Sequence, residues 1–328
     1  MVKKILKFTS LSLVIIIIGF ILGVLLNGIN FQRFKEESLY KDWMKNINDE
    51  TYLNEIVMPG SHDAGSYDMI WLGETQHYSI EEQLNVGIRY LDLRVNFKDN
   101  EYVIFHSIIN GVKFIPILNS IKNFIINNPT EVLLLDFQHF NGNSETGVFN
   151  LITEYLYNNN LLVVNNTELS DLEFINSLKL KDVRGKCIVF WGDRSNDLSN
   201  YLFLRNNDSC SLDNMCLNSY YESTYHENSK VLFDQGYQLY FNSIKEKINK
   251  EGKGIFVLQG QLTDVKLIYG PWSKEKAHNK YMNEIIKGFS TSEELKYLNV
   301  IMRDFVNGTK CKDIINLNYY KNNMNEMI

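Results

Sequence analysis

Proline and cysteine are both scarce in this chain, at 4 of each among 328 residues. So little proline excludes a proline-rich fibre or collagen-like chain. Aromatics at 13% together with a net charge of only −6 exclude an intrinsically disordered one. The cysteines, Cys187, Cys210, Cys216 and Cys311, show no Cys-x-x-Cys spacing, which sets a zinc site aside. Cys210 and Cys216 are spaced to close a small loop in an oxidising compartment; four reduced thiols fit the sequence equally. Positive charge is the third shortage. Lys3, Lys4, Lys7, Arg33 and Lys35 all precede the first acid, Glu36, so residues 36–328 hold 28 bases against 39 acids, a net −11. A body that acidic lacks the basic footprint nucleic acid demands, and no nucleic-acid partner is expected.

What the basic start flanks is a long apolar run. No charge interrupts Phe8 to Phe31, and Leu11 to Leu26 is almost wholly apolar. Crossing a bilayer takes about 20 such residues, so a single N-terminal transmembrane helix is expected within residues 1–31. Three lysines before it place the N-terminus in the cytoplasm and the body outside. No Ala-x-Ala-like site follows the run, which favours an uncleaved anchor over a cleaved signal peptide and secretion.

Past a polar linker (residues 32–50), short β-branched runs alternate with longer amphipathic ones, the pattern of βα units. The pattern predicts strands at Glu55–Met58, Arg89–Val95, Tyr102–His106, Glu131–Phe137, Lys186–Trp191, Gly254–Gln259 and Asn299–Phe305. Helices are predicted at about 79–86, 115–128, 145–160, 236–249 and 275–287. Runs such as Val132-Leu133-Leu134-Leu135 imply strands buried on both faces, as in a parallel sheet wrapped by helices. Seven or so strands in one domain, residues 51–310, fit an α/β fold of the closed (β/α) barrel type better than an open sheet. Residues 195–230 read as an irregular insertion, and 311–328 as a C-terminal tail.

Chemistry in such a barrel sits at the C-terminal ends of the strands, and the polar residues fall there. The first strand runs into Pro59-Gly60-Ser61-His62-Asp63-Ala64-Gly65-Ser66. Asp92 and Arg94 are two apart and share a strand face. His106, the pair Asp136 and Gln138, and Asp304 close three further strands. Any one of these has a bland alternative as a rim salt bridge or a helix cap. Jointly, two imidazoles and an arginine are what in-line phosphodiester cleavage requires. One His removes a proton from the attacking hydroxyl, the other gives one to the leaving oxygen, and Arg neutralises the charge gathering on phosphorus.

Met58-Pro59-Gly60-Ser61-His62-Asp63-Ala64-Gly65-Ser66-Tyr67, Gln83 to Val95 with its Gly-Ile-Arg-x-x-Asp-x-Arg block, His106 and the Pro129–Phe137 strand together resemble the X domain of phosphatidylinositol-specific phospholipase C. The resemblance runs from about Trp43 to Asn307 and is closest to single-domain X-domain proteins and bacterial enzymes. It implies a distorted, incompletely closed TIM-type barrel and a phosphorus–oxygen lyase, in which the inositol 2-hydroxyl attacks the phosphate to release diacylglycerol and a cyclic phosphoinositol. By position it implies His62 as general base with Asp304 behind it, His106 as general acid with Asp63 as partner, and Arg94, beside Asp92, as phosphate ligand. Calcium-using relatives carry a carboxylate ligand at the position of Arg94; a guanidinium there implies no metal and no cofactor. The implied partner is a phospholipid at a membrane surface, met by a monomer.

Departures from the family pattern touch the headgroup. Ser107 follows the second His where bacterial enzymes carry glycine. Phe137, between Asp136 and Gln138, stands near where they carry a lysine. Arg194 matches their inositol-contacting arginine only loosely. Asp136, Gln138 and Arg194 are the expected headgroup contacts. A silent phosphoinositide-binding module and a phosphodiesterase for another lipid headgroup are the alternatives left open.

Overall fold

The computed structural model describes residues 12–22, 39–192, 199–205, 215–219, 229–263 and 270–325. Its strands are β1 (Met58–Ser61), β2 (Tyr90–Lys98), β3 (Glu101–His106), β4 (Ile109–Lys113), β5 (Val132–Asn141), β6 (Lys186–Trp191), β7 (Leu202–Leu204), β8 (Leu217–Ser219), β9 (Ile255–Gln259) and β10 (Val300–Arg303). Eight of them lie in the order β7-β6-β5-β2-β1-β10-β9-β8, every neighbouring pair parallel. Among the described residues, the two ends of this sheet meet at the bridge Arg205↔Leu217. The result is a (β/α) barrel with one thin seam.

Around the barrel stand α1 (Ile80–Asn85), α2 (Phe114–Asn127), α3 (Glu145–Tyr155), α4 (Asp171–Ser177), α5 (Gln238–Glu251), α6 (Pro271–Phe289), α7 (Gly308–Ile315) and α8 (Leu317–Asn325). Alternation along each strand divides the core. Met58, Tyr90, Leu134, Ile188, Phe190, Phe203, Val257, Val300 and Met302 fill the barrel. Their neighbours Leu91, Leu133, Leu135, Val189 and Ile301 pack outward. Gly60 is required inside: a Cβ there would stand 2.8 Å from Val300 and 3.0 Å from Tyr90.

The structure departs from the sequence expectations in four places. β1 starts at Met58, after a 3₁₀ turn at Leu53–Glu55, and runs on through Pro59-Gly60-Ser61, residues that composition marks as a loop. β10 paired along it in register supplies what local propensity lacks. Tyr102–His106 is not a barrel strand. It runs antiparallel to the overhanging end of β2, reversed at Asp99 and Asn100, both at positive φ, the backbone of a type I′ hairpin turn. The supposed irregular insertion contributes β7 and β8, each three residues long and too short to show periodicity. The membrane-spanning helix is not found among the described residues. Of its segment only 12–22 are described, as helix with exposed side chains, and no helix among the described residues is long and apolar enough to cross a membrane.

Packing also runs past the expected linker and tail. Trp43 and Met44 are buried, as are Cys311, Ile314 and Leu317, and the Asn318 side-chain amide bonds both backbone groups of Val57. Cys187, Cys216 and Cys311 are buried; Cys210 lies outside the described residues.

Beneath β2, Arg89 is fully buried and paired with Glu131 at 2.7 Å. Its guanidinium also donates to the carbonyls of Leu84, Ile88, Tyr40 and Lys41. Arg89 therefore ties the segment before β1 to the barrel floor, far from the polar mouth. Breaking a buried pair by removing one partner costs about 3–5 kcal/mol. Glu131→Ala should lower stability by that amount in equilibrium urea unfolding; a loss within roughly 0.5 kcal/mol, the range of surface substitutions, would refute the role.

Candidate active site

His62 follows β1 on the barrel-facing side of Gly60, its N–H still bonded to the Arg303 carbonyl at 3.1 Å. Asp304 follows the neighbouring β10, and its Oδ1 lies 2.7 Å from His62 Nδ1. Parallel pairing of β1 with β10 thus delivers imidazole and carboxylate to one spot. A carboxylate on Nδ1 fixes the tautomer and aims Nε2 into the mouth. Gln76, fully buried, clamps the arrangement: its Nε2 donates to the carbonyls of His62 and Arg303, at 2.8 and 3.1 Å, and its Oε1 accepts from the Val306 N–H. Sequence reading passes over Gln76, since a glutamine in a loop carries no local signal.

Asp63 is the hub. Its Oδ2 lies 3.4 Å from His62 Nε2 and 3.6 Å from His106 Nε2, which places the two imidazole nitrogens within about 7 Å of each other. Its Oδ1 takes Arg94 Nε at 2.7 Å. Arg94 Nη2 reaches Asp92 Oδ2 at 3.0 Å and approaches His62 Nε2 at 3.4 Å. Asp63 adopts φ +43°, and Asp92 holds that bend by accepting the Asp63 N–H. His106 comes in from the side, on the β3–β4 hairpin. Its Nδ1 meets the Gly73 carbonyl at 3.0 Å; a carbonyl only accepts, so Nδ1 carries a hydrogen and Nε2 faces the cluster. Ser107, next along, has φ +56°, a conformation that glycine adopts without strain.

His62, Asp63 and Asp92 together have the geometry to hold a metal ion. The Arg94 guanidinium already bridges Asp63 and Asp92, and a cation brought there would meet its charge. The donor set therefore does not suit a resident metal.

Burial alone would lower the His62 pKa, but the Asp63 and Asp304 carboxylates outweigh it and raise it to about 9. Burial also pushes the Asp304 carboxyl up, against the pull of His62. Both shifts keep a proton on the pair at neutral pH. Asp63 is also buried, yet Arg94 and the two imidazoles hold its carboxyl below the ordinary value.

Two of the expected headgroup residues, Asp136 and Gln138, lie elsewhere on the wall. Asp136 pairs in register with Asp92 on the adjacent strand, but its carboxylate is engaged by the Tyr90 hydroxyl and Arg205 Nε, each at 2.6 Å. Gln138 is the extra residue of a β-bulge opposite Leu93 and Arg94, a device that re-aims side chains beside active sites. Arg194 lies outside the described residues. Arg205 and the chain Ser219–Gln259–Gln261 complete the polar wall; Arg205 and Ser219 carry no sequence signal because β7 and β8 are too short to show periodicity, and the two glutamines at and just past the end of β9 carry none of their own.

A group whose pKa folding raises stabilises the protein fully below its unfolded value and loses that contribution as pH rises through the folded value. For His62 the window runs from 6.5 to about 9. Asp304→Asn removes one raising carboxylate. NMR titration should place the His62 ring near 9 in the parent and lower in the variant, with a flatter fall of stability across that window; an unmoved titration would show that the pair is not formed.

Residues 51–192 match the family model described as phosphatidylinositol-specific phospholipase C, X domain. The 1-phosphatidylinositol phosphodiesterase of Listeria monocytogenes is 26% identical over 291 residues, covering 85% of this chain and 86% of that protein. The human PI-PLC X domain-containing protein 2 is 31% identical over 142 residues, 32% of this chain and 45% of that protein. In fold, the phosphatidylinositol-specific phospholipase C from Listeria monocytogenes superposes with a TM-score of 0.64 at 23% identity, over 84% of this chain and 98% of that one. A histidine-to-tyrosine mutant of the Staphylococcus aureus phosphatidylinositol-specific phospholipase C gives 0.59 at 19%, over 86% and 96%. Motif, barrel and matched sequence agree in placing residues 51–192 in the phosphatidylinositol-specific phospholipase C X-domain family.

Proposed function

We propose that the protein cleaves phosphatidylinositol-type lipids by intramolecular transesterification, through an acid and a base arranged about one phosphate. The observation that carries this is the convergence of His62 Nε2 and His106 Nε2 on one carboxylate, Asp63, beside the Arg94 guanidinium. His62 takes the proton of the headgroup hydroxyl next to the phosphoester as that oxygen bonds to phosphorus. The bond from phosphorus to the glycerol oxygen breaks, and His106 gives that oxygen a proton. Diacylglycerol leaves and a cyclic phosphodiester remains. Arg94 balances the phosphoryl charge and, held by Asp63 and Asp92, is positioned before substrate arrives. A pKa of about 9 makes His62 a strong base, with little of it free at neutral pH. No metal enters the scheme.

Asp136, Gln138 and Arg194 are assigned to the headgroup, and Arg205 joins them. Arg205 Nη1 and Nη2 are buried with no hydrogen-bond partner among the described residues, donors available to a headgroup oxygen. The barrel domain, residues 51–310, acts as a monomer on a bilayer surface. The charge-free segment Leu11–Leu26 after Lys3, Lys4 and Lys7 supports a barrel held outside the cytoplasm on a single N-terminal anchor.

Two experiments test this. His62→Ala and His106→Ala should each lower kcat by about 10²–10⁴-fold on phosphatidylinositol, with cyclic phosphoinositol the parent's product in excess chelator as well as without it. On a nitrophenyl ester of the phosphoinositol, whose leaving oxygen needs no proton, His106→Ala should recover most of its rate and His62→Ala none. Equal recovery would reverse the assigned roles, release of no product would leave only a binding module, and dependence on Ca²⁺ would overturn the metal-free mechanism. For location, external protease added to intact cells should digest the barrel; digestion only after lysis would refute the orientation.

A further inference from the structure

Phe305 immediately follows Asp304 and has φ +44°, a strained conformation for a bulky aromatic residue. Such a residue persists only where its surroundings over-determine it. Here the Phe305 N–H bonds the Thr75 carbonyl at 2.8 Å, and its ring packs against His77 and Trp272, at centroid distances of 4.4 and 4.9 Å. The remaining tie comes from α7. Lys310, buried, donates from Nζ to the carbonyls of Asp304 and Phe305, at 2.7 and 2.9 Å, and to Glu275 Oε1 of α6. An ammonium has three donors, and three acceptors take them. Glu275 Oε1 also receives Arg303 Nη2 at 2.8 Å, so the residue before Asp304 and the lysine that holds the residue after it share one carboxylate.

We propose that Lys310 is a positioning residue for the reaction: by holding both carbonyls of the strained Asp304–Phe305 turn, it aims the Asp304 carboxylate at His62. The assignment rests on the reading of His62 as the base, but it concerns a geometry measurable without turnover. Lys310 never reaches the mouth. Asn307 caps α7 by accepting the Lys310 N–H at 2.9 Å, which orients the lysine back toward the strand end. Burial pulls its pKa down, to about 8, so the ammonium stays charged at neutral pH.

The sign of one shift separates positioning from mere proximity. Deleting a positive charge near His62 would by itself raise the His62 pKa, whereas releasing Asp304 lowers it. In the full chain, Lys310→Met should lower the NMR titration of His62 by about one pH unit or more and reduce kcat about tenfold with KM unchanged, the pattern of an interaction made in the transition state. Lys310→Gln, neutral but able to reach one carbonyl, should fall between Met and the parent, and it serves where Met fails to fold. Introduced on top of Asp304→Asn, Lys310→Met should move the titration little further. A rise in the His62 pKa, an unmoved value, or full additivity with Asp304→Asn would each overturn the proposal. If His62→Ala instead left turnover intact, the base assignment would fail while the titration still judged Lys310.

Discussion

A hydrogen bond of 2.7 Å between His62 and Asp304 joins residues 242 positions apart, and most of the site is arranged to keep it. It exists because the first and last barrel strands are neighbours, paired in register from Met58↔Val300 to Ser61↔Arg303. A one-residue slip in that pairing would turn one partner to the helix layer. Gly60 sets how closely the strands and Tyr90 approach, and Gln76 locks the two strand ends together above them. The pair therefore forms only when the chain has closed on itself, which couples the chemistry to the integrity of the whole barrel.

Charge balance is the second constraint. Asp63, Asp92, Asp304 and Glu275 are all nearly inaccessible to solvent, and buried carboxylates at this density need positive partners. Arg94 serves Asp63 and Asp92, His62 serves Asp304 and Asp63, and Arg303 with Lys310 serves Glu275. The cation between Asp63 and Asp92 is thus part of the polypeptide. The same balance raises the pKa of His62 and lowers that of Asp63, so one arrangement supplies both a basic imidazole and a lasting carboxylate between the two histidines.

The two imidazoles are held by different means. His62 is set by the barrel, between two parallel strands. His106 rides a hairpin extending from the overhang of β2, and its orientation depends on a loop carbonyl, Gly73 O. Gly73 packs against Ile109 of the same hairpin: a Cβ there would stand 3.0 Å from it. The two imidazoles meet at Asp63, which belongs to the first strand's loop and contacts both.

The sequence alone carried the barrel class, the buried strands Val132–Phe137 and Lys186–Trp191, and the residue types of the mouth. Local patterns hold that information: period-2 alternation, apolar runs, and a small-residue loop around His62 and Asp63. Where an element's stability comes from partners distant in sequence, the local signal was absent or misleading. β1 passes through Pro59-Gly60 because β10 pairs with it; β7 and β8 are three residues each and are strands only by closing the sheet; His106 reaches the mouth on an antiparallel hairpin. The same holds for side chains. The sequence marks His62, Asp92, Arg94 and Asp304 as candidates, but which carboxylate meets which cation, and why Gln76, Arg205 and Lys310 belong with them, was decided by the tertiary structure. Buried polar groups take their partners from whatever the fold brings within about 3 Å, and that neighbourhood is a property of the closed barrel.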